Sequence, residues 1–344
     1  MMQKTVYRLL LGFALPFALL AGCAKEEYPD TGEFLSFEAV QEGETRRGAS
    51  VDQPDTPDYL IAPGRQISVY GTITRTGMED YEVFSGQTVT CGEDLDWTYS
   101  PLKYWKRSGV YDFKAVFPRT ASILSGTSGK RLLVRHSVVA SHMDLMVASA
   151  QRNPATQGTA PVELKFRHAC SAVRFLFKKE SAADDYKLTA FKLQNLRVLG
   201  SLDVSGDEVT LGSWHTSGNA PVSEVFAWTA AAASDRKEIP VTYALYTDAQ
   251  WYYMIPQTMA VPAGTARPSV TFSVIFNGEP TSVTTTLPLP DTYEEDGQTL
   301  EAQWEPGKVY TYYINLKPSR VAITVHVTPW DEQDLSVDGE ITFD

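Results

Sequence analysis

The stretch Val162-Glu163-Leu164-Lys165-Phe166-Arg167-His168 sets apolar and ring side chains on one parity and charged ones on the other. Successive side chains leave a strand on opposite sides, so this alternation predicts a strand with one buried face. The pattern recurs on both sides of it. Downstream, Val173–Phe177, Leu188–Leu199, Thr242–Tyr246, Trp251–Ile255, Val309–Leu316 and Val321–Val327 are strand-like runs, and Val270–Phe276 meets Asn277-Gly278 before Ser282–Leu287. Asn-Gly is a hairpin signal because both residues tolerate positive φ. Upstream, Ile67, Val69 and Ile73 form one run, Tyr111, Phe113, Ala115 and Phe117 another, and Arg131–Val139 a third. No amphipathic helix of three turns stands out, and 17 Tyr, 15 Phe, 20 Pro and 23 Gly favour strands and turns.

A chain of 344 residues suggests two domains at roughly 150 residues each. Gln151–Pro161, with its Asn-Pro, Gly and Thr, reads as an interdomain linker. The expected fold class is all-β, two tandem antiparallel β-sandwiches over residues 48–160 and 161–344. Acidic residues outnumber basic ones 42 to 30, a net charge of −12, which argues against nucleic acid as a partner.

The first 22 residues read as a signal peptide. Lys4 and Arg8 precede the apolar run Leu9–Ala21, which contains Gly12 and Pro16. As a helix it would span about 20 Å against a hydrocarbon core of about 30 Å, too short to cross. The run ends in Leu20-Ala21-Gly22-Cys23, which resembles the lipobox of bacterial lipoproteins, whose Cys is acylated after cleavage before it. Cys23 is therefore the expected lipidation site, and several acyl chains on one residue anchor stably. Cys23-Ala24-Lys25-Glu26-Glu27 resembles the export signal that sends lipoproteins of the Bacteroides group to the cell surface. The remaining thiols, Cys91 and Cys170, are read either as two buried cysteines or as a bridge.

Residues 23–47 form an N-terminal segment with one embedded strand, Phe34–Val40, before Arg46-Arg47-Gly48 and a Pro-rich loop. At the other end, Leu335, Val337, Ile341 and Phe343 share one parity, with Ser336, Asp338, Glu340 and Thr342 between them. Residues 331–344 are therefore a half-buried strand, either the last of their own domain or one donated to another subunit.

Chemistry is sparsely signalled. The five histidines, His136, His142, His168, His215 and His326, lack metal-ligand spacing, and His168 and His326 sit inside strand patterns. Asp291, Glu294, Glu295 and Asp296 do not have EF-hand spacing and read as a solvated loop. No nucleophile elbow, phosphate loop or dinucleotide fingerprint occurs. The expectation is a non-enzyme with no metal and no cofactor. Trp97, Tyr99, Tyr104 and Trp105 are either a stacking platform for glycans or a buried plug at one end of a sandwich.

Several motifs, taken in order, resemble the fimbrillin-like lipoproteins. They are Trp97-Thr-Tyr-Ser-Pro-Leu-Lys-Tyr-Trp105, Tyr111-Asp-Phe-Lys-Ala-Val-Phe-Pro118, Leu164-Lys-Phe-Arg-His168 and Tyr253-Met-Ile-Pro-Gln257. Trp304-Glu-Pro-Gly-Lys-Val-Tyr310 and Val325-His-Val-Thr-Pro-Trp330 complete the series. The resemblance implies two transthyretin-like β-sandwich domains and a role in type V pili at the outer membrane of Gram-negative anaerobes. It also implies Arg-specific removal of an N-terminal strand, for which Arg46 and Arg47 are the candidate sites, and entry of a strand from another subunit into the vacated groove. Stalk, tip and anchor members share the fold. The implied partners are other pilus subunits and a surface receptor, and the alternative is a surface lipoprotein that binds glycans.

Overall fold

The computed structural model describes residues 30–41, 60–141, 143–216, 218–246, 251–295, 298–317 and 321–329. The N-terminal half contributes β1 (Asp30–Phe34), β2 (Phe37–Gln41), β3 (Gln66–Thr74), β4 (Tyr81–Cys91), β5 (Trp97–Thr98), β6 (Tyr104–Lys106), β7 (Val110–Phe117), β8 (Ser122–Ile123), β9 (Leu132–Ser137), β10 (Met146–Arg152) and β11 (Val162–His168). Seven of these close a ring in the order β10-β11-β2-β5-β4-β3-β7, with β7 returning to β10. The ring is thinnest between β2 and β5, which pair at one position. Inside sit Phe37, Phe84, Tyr111, Phe113, Phe166 and Trp105, all buried.

The rest of the chain adds β12 (Ser171–Lys179), β13 (Tyr186–Gln194), β14 (Leu199–Val204), β15 (Trp214–His215), β16 (Val225–Thr229), β17 (Lys237–Glu238), β18 (Ala244–Leu245) and β19 (Tyr252–Met254). They are followed by β20 (Gln257–Thr258), β21 (Ser269–Phe276), β22 (Val283–Pro288), β23 (Thr292–Glu295), β24 (Gln298–Glu301), β25 (Gln303–Trp304), β26 (Lys308–Leu316) and β27 (Val321–Pro329). One sheet runs β18-β12-β26-β27, with β19 also on β12, and the other runs β16-β13-β21-β22, with β17 on β13. Their inner faces share a core that includes Phe175, Phe177, Phe191, Phe272 and Tyr312. The fold is all-β, as the alternation predicts.

A third sheet, β15-β14-β9-β8, takes strands from both halves: Leu132–Ser137 pairs antiparallel with Leu199–Val204. A separate core lies over it, with Val134, Leu145, Cys170, Leu202, Trp214 and Ile255 fully or nearly buried. Lys114 of β7 reaches across this junction, donating to Ser149 Oγ at 2.7 Å and to the Gly206 carbonyl at 2.5 Å. Burial pushes its ammonium below the usual lysine range, and the charges of Asp207 and Asp112 oppose that shift while the two acceptors satisfy its protons. The two halves therefore share one sheet, one small core and one buried lysine.

Several local expectations shift. Val162–His168, assigned by sequence to the second half, completes the first ring, pairing with β10 and β2. The reason is visible in its inward face: Val162, Leu164 and Phe166 join the first core. Gln151–Pro161 is consequently a connection within the first lobe, where Asn153 caps the short helix Pro154–Gln157. Leu188–Leu199 breaks at Asn195, whose φ of 59° is left-handed, and its Nδ2 donates to the Arg267 carbonyl at 2.9 Å. Asn277 and Gly278 do take positive φ, at 49° and 77°. Cys91 and Cys170 are both buried and not bridged to each other, one lying in the first core and one in the junction core.

Candidate strand-exchange groove

Phe34–Val40 is expected to be one strand and is two. β1 pairs with β6, and the chain breaks at Leu35-Ser36 to enter the ring as β2. There β2 lies parallel to β11, with Phe37 opposite Val162 and Gln41 opposite Phe166. On its other side it pairs at one position only, Phe37 with Trp97. Parallel pairing of two strands in one sheet needs a long connection, and here almost the whole first lobe lies between them.

The inward parity is Leu35, Phe37 and Ala39, at 0%, 4% and 6% exposure. Phe37 makes edge-to-face contacts with Phe84 and Phe113 at 5.5 and 5.6 Å between centroids. The backbone of the segment is held by Leu35 N donating to the Lys103 carbonyl at 2.7 Å, and by the Tyr99 hydroxyl donating to the Leu35 carbonyl at 2.8 Å. Burial raises the Tyr99 phenol above its usual range, which keeps it a donor.

The polar fit of this strand is poorer than its apolar fit. Gln41, next on the inward parity, leaves Oε1 buried without a partner, and its Nε2 sits 3.4 Å from His168 Nε2. Two of the rings around the strand, Trp97 and Trp105, also bury Nε1 without an acceptor. Each such group costs about 1–3 kcal/mol relative to a satisfied one.

The other nitrogen of His168 is well placed: Nδ1 lies 2.5 Å from Asp144 Oδ2, and Asp144 Oδ1 accepts from Cys170 N at 3.3 Å. His136, nearby in the junction core, is held below the ordinary imidazole range by burial, against the opposing pull of Asp144. Trp214 Nε1 donates to the Ala169 carbonyl at 2.8 Å. A buried polar chain thus leads from Gln41 through His168 and Asp144 toward the junction. Sequence reading missed Asp144 and Gln41. The available signal was His168 itself, since an imidazole on the buried parity of a strand needs a polar partner.

The four aromatic candidates do not share one surface. Trp97 and Trp105 are 7% and 0% exposed, Tyr99 is half-buried, and Tyr104 is exposed. Trp105 packs edge-on to Tyr111 at 4.8 Å. Cys23, Arg46, Arg47, and the candidate donor residues Leu335, Val337, Ile341 and Phe343 lie outside the described residues. So do His142 and Asp296. Asp291 pairs with Arg267 at 2.8 Å. Among the described residues no three His, Cys, Asp or Glu side chains are placed to hold a metal ion.

Together these features define a class: a two-lobed all-β protein whose first lobe is completed by an N-terminal strand inserted beside β11. Residues 53–330 match the family described as fimbrillin-like, and the chain belongs to that family. Among solved structures it resembles a fimbrial protein from Bacteroides vulgatus, with a TM-score of 0.58 and 12% identity over 86% of this chain and 99% of that one. A Bacteroides uniformis protein assigned to cell adhesion aligns with a TM-score of 0.52 and 17% identity, covering 88% of this chain and 100% of the other. At such identities the likeness is one of fold. No curated protein matches the chain.

Proposed function

We propose that the chain is a structural subunit, stalk or tip, of a cell-surface pilus, reaching the outer membrane as a lipoprotein through Cys23 and joining its neighbours by strand exchange. The observation that carries this reading is β2. It is short, parallel, paired along its length on one side only, and linked to the first lobe through the segment that holds Arg46-Arg47. Cleavage there would sever β1 and β2 from the rest of the first lobe. The groove they leave would present Phe84, Phe113, Trp97 and Trp105 to another strand. The alternation of Leu335, Val337, Ile341 and Phe343 suits that role, because main-chain bonds supply affinity and alternate side chains supply register. Membership in the fimbrillin-like family supports the same reading. A glycan platform built from Trp97, Tyr99, Tyr104 and Trp105 is less well supported, since both indoles lie inside.

The test is proteolysis of the purified chain with an Arg-specific protease. Cleaved protein is expected to form ladders on unheated gels, and truncation after Trp330 is expected to abolish them. Surface protein that still begins at Cys23 would reassign the chain as an anchor, and ladders from the truncated chain would remove residues 331–344 as the donor.

A further inference from the structure

The outer face of the second sandwich carries positive charge that nothing described neutralises. On β12, Phe175 and Phe177 point into the core, so Arg174, Leu176 and Lys178 face outward. Arg174 is only 7% exposed. Its Nε donates to Thr311 Oγ1 at 2.9 Å, and its guanidinium carbon lies 4.2 Å from the centre of the Trp251 ring. These contacts fix the plane of the guanidinium but supply no anion. Among the described residues no carboxylate lies within ion-pair distance of Arg174 or Lys178, and Glu180, two residues beyond Lys178, is paired with Lys317 at 2.8 Å. Burial already pushes the Arg174 guanidinium below its usual range. A desolvated cation held this way is costly unless an anion completes it.

A second cation repeats the arrangement along the same strand. Lys178 Nζ sits 4.4 Å from the centre of the Tyr243 ring, and Tyr243 packs edge-on to Tyr313 at 4.7 Å. In register, Arg174 lies opposite Thr311, Leu176 opposite Tyr313 and Lys178 opposite Asn315. Asn315 is 4% exposed and its Oδ1 has no partner. The strip thus reads cation, ring, ring, cation, with the backbone positions of the two cations about 13 Å apart at ~3.3 Å per residue. Aromatic faces beside cations suit a ligand with flat or ring-shaped units between acidic groups. A compact anion would meet only one of the two charges.

We propose that this face of β12 and β26 binds a linear acidic polysaccharide, with carboxylate or sulfate groups taken by Arg174 and Lys178 and sugar rings lying along the partly exposed Trp251 and Tyr243. The whole chain has a net charge of −12, so its overall field repels a polyanion and attraction must come from a local site. The inference does not depend on pilus assembly, since it uses no residue of the β2 groove.

The test is titration of the detergent-solubilised mature chain with heparin, chondroitin sulfate, hyaluronan and dextran. At 0.15 M salt, exposed charges beyond about 8 Å are largely screened. Binding is expected to at least one acidic polymer and not to uncharged dextran. Hyaluronan separates carboxylate recognition from sulfate recognition, because it carries carboxylates alone. Arg174→Lys keeps the charge but loses the planar fork, so affinity is expected to fall about tenfold or more. Lys178→Gln is expected to lower it about threefold. Arg174→Met removes an uncompensated buried charge. It is expected to melt at or above the temperature of the unsubstituted chain while losing binding, which separates a ligand contact from a structural one. Absence of binding to all three acidic polymers would overturn the proposal. So would equal binding to dextran, or binding unchanged in both Arg174→Lys and Lys178→Gln.

Discussion

Among the described residues each half of the molecule contains one pair of parallel neighbours, and the two pairs are held very differently. In the first lobe β2 meets β11 from Phe37–Val162 to Gln41–Phe166, and its other edge is paired only at Phe37. In the second, β26 meets β12 from Ala172–Val309 to Lys179–Leu316, and its other edge is paired with β27 along its whole length. Every residue of β26 from Val309 to Leu316 is buried, whereas β2 alternates and ends in the poorly satisfied Gln41. The difference teaches that parallel pairing alone does not make a strand removable. In the proposed exchange β2 differs from β26 by its short ladder, its single row of apolar contacts and the unsatisfied polar groups at its edge.

The strongest way to break this comparison is to remove the weaker strand outright. A chain beginning at Gly48 loses the burial of Leu35 and Phe37, about 3–6 kcal/mol at ~1.5–3 kcal/mol for each large side chain. Calorimetry is expected to show the first lobe melting well below the second, and Trp97 and Trp105 emission is expected to move to the red. A single unchanged transition would mean that β2 contributes nothing to the first lobe. A sharper version compares Phe37→Ala with Phe175→Ala. Each is expected to cost about 3–5 kcal/mol in the full chain. In the chain beginning at Gly48, Phe175→Ala is expected to retain its full cost, because the second core contains no residue of β2.

How legible this was in the sequence depends on the kind of interaction. Alternation in Val162–His168 and in Tyr111–Phe117 gave strands and buried parities correctly, since period 2 is a local property. The inward row of Leu35, Phe37 and Ala39 was readable for the same reason. Which strands pair was not. That β11 closes the first ring, and that β9 pairs with β14 across the junction, follow from contacts between residues far apart in the chain. The polar chain from Gln41 to Asp144 was hidden for a related reason. Asp144 sits in a connection, where an isolated carboxylate normally reads as solvated, yet it is 1% exposed. The four-aromatic cluster showed the limit of composition: the residue types were clear, and only the fold placed Trp97 and Trp105 inside.

A smaller change sharpens the comparison from the opposite side. Gln41→Leu replaces the one polar residue on the inward parity of β2 and removes the orphaned Oε1, while His168 retains Asp144. It is expected to stabilise the first lobe by about 1 kcal/mol or somewhat more, and to slow release of the strand after cleavage. Denaturant unfolding and the rate of ladder formation measure the two effects. A destabilised variant would show that the Gln41–His168 contact at 3.4 Å contributes more than its length implies.

The last test asks whether the junction stabilises both lobes together, and its effect is confined to a window of pH. His136 lies on β9 in the shared sheet, 5% exposed, with its ring 6.4 Å from that of Trp214. Burial depresses its folded pKa below the ordinary value of 6.5, so the native chain keeps it neutral. Above that value neither state binds the proton and stability is unaffected. As pH falls below 6.5 the unfolded chain takes up a proton that the folded chain refuses, and stability falls until the depressed folded value is reached. The loss is about 1.4 kcal/mol for each pH unit crossed in that window. Asp203 behaves differently: its bond from Arg131 lowers its pKa, so its contribution persists above the usual carboxylate range and is lost only at more acid pH. His136→Gln is therefore expected to flatten the stability curve just below pH 6.5 while leaving the more acid limb in place. If the junction couples the lobes, the lost slope appears in the melting of both lobes of the full chain. If only one lobe responds, the shared sheet joins the halves without making them unfold as a unit.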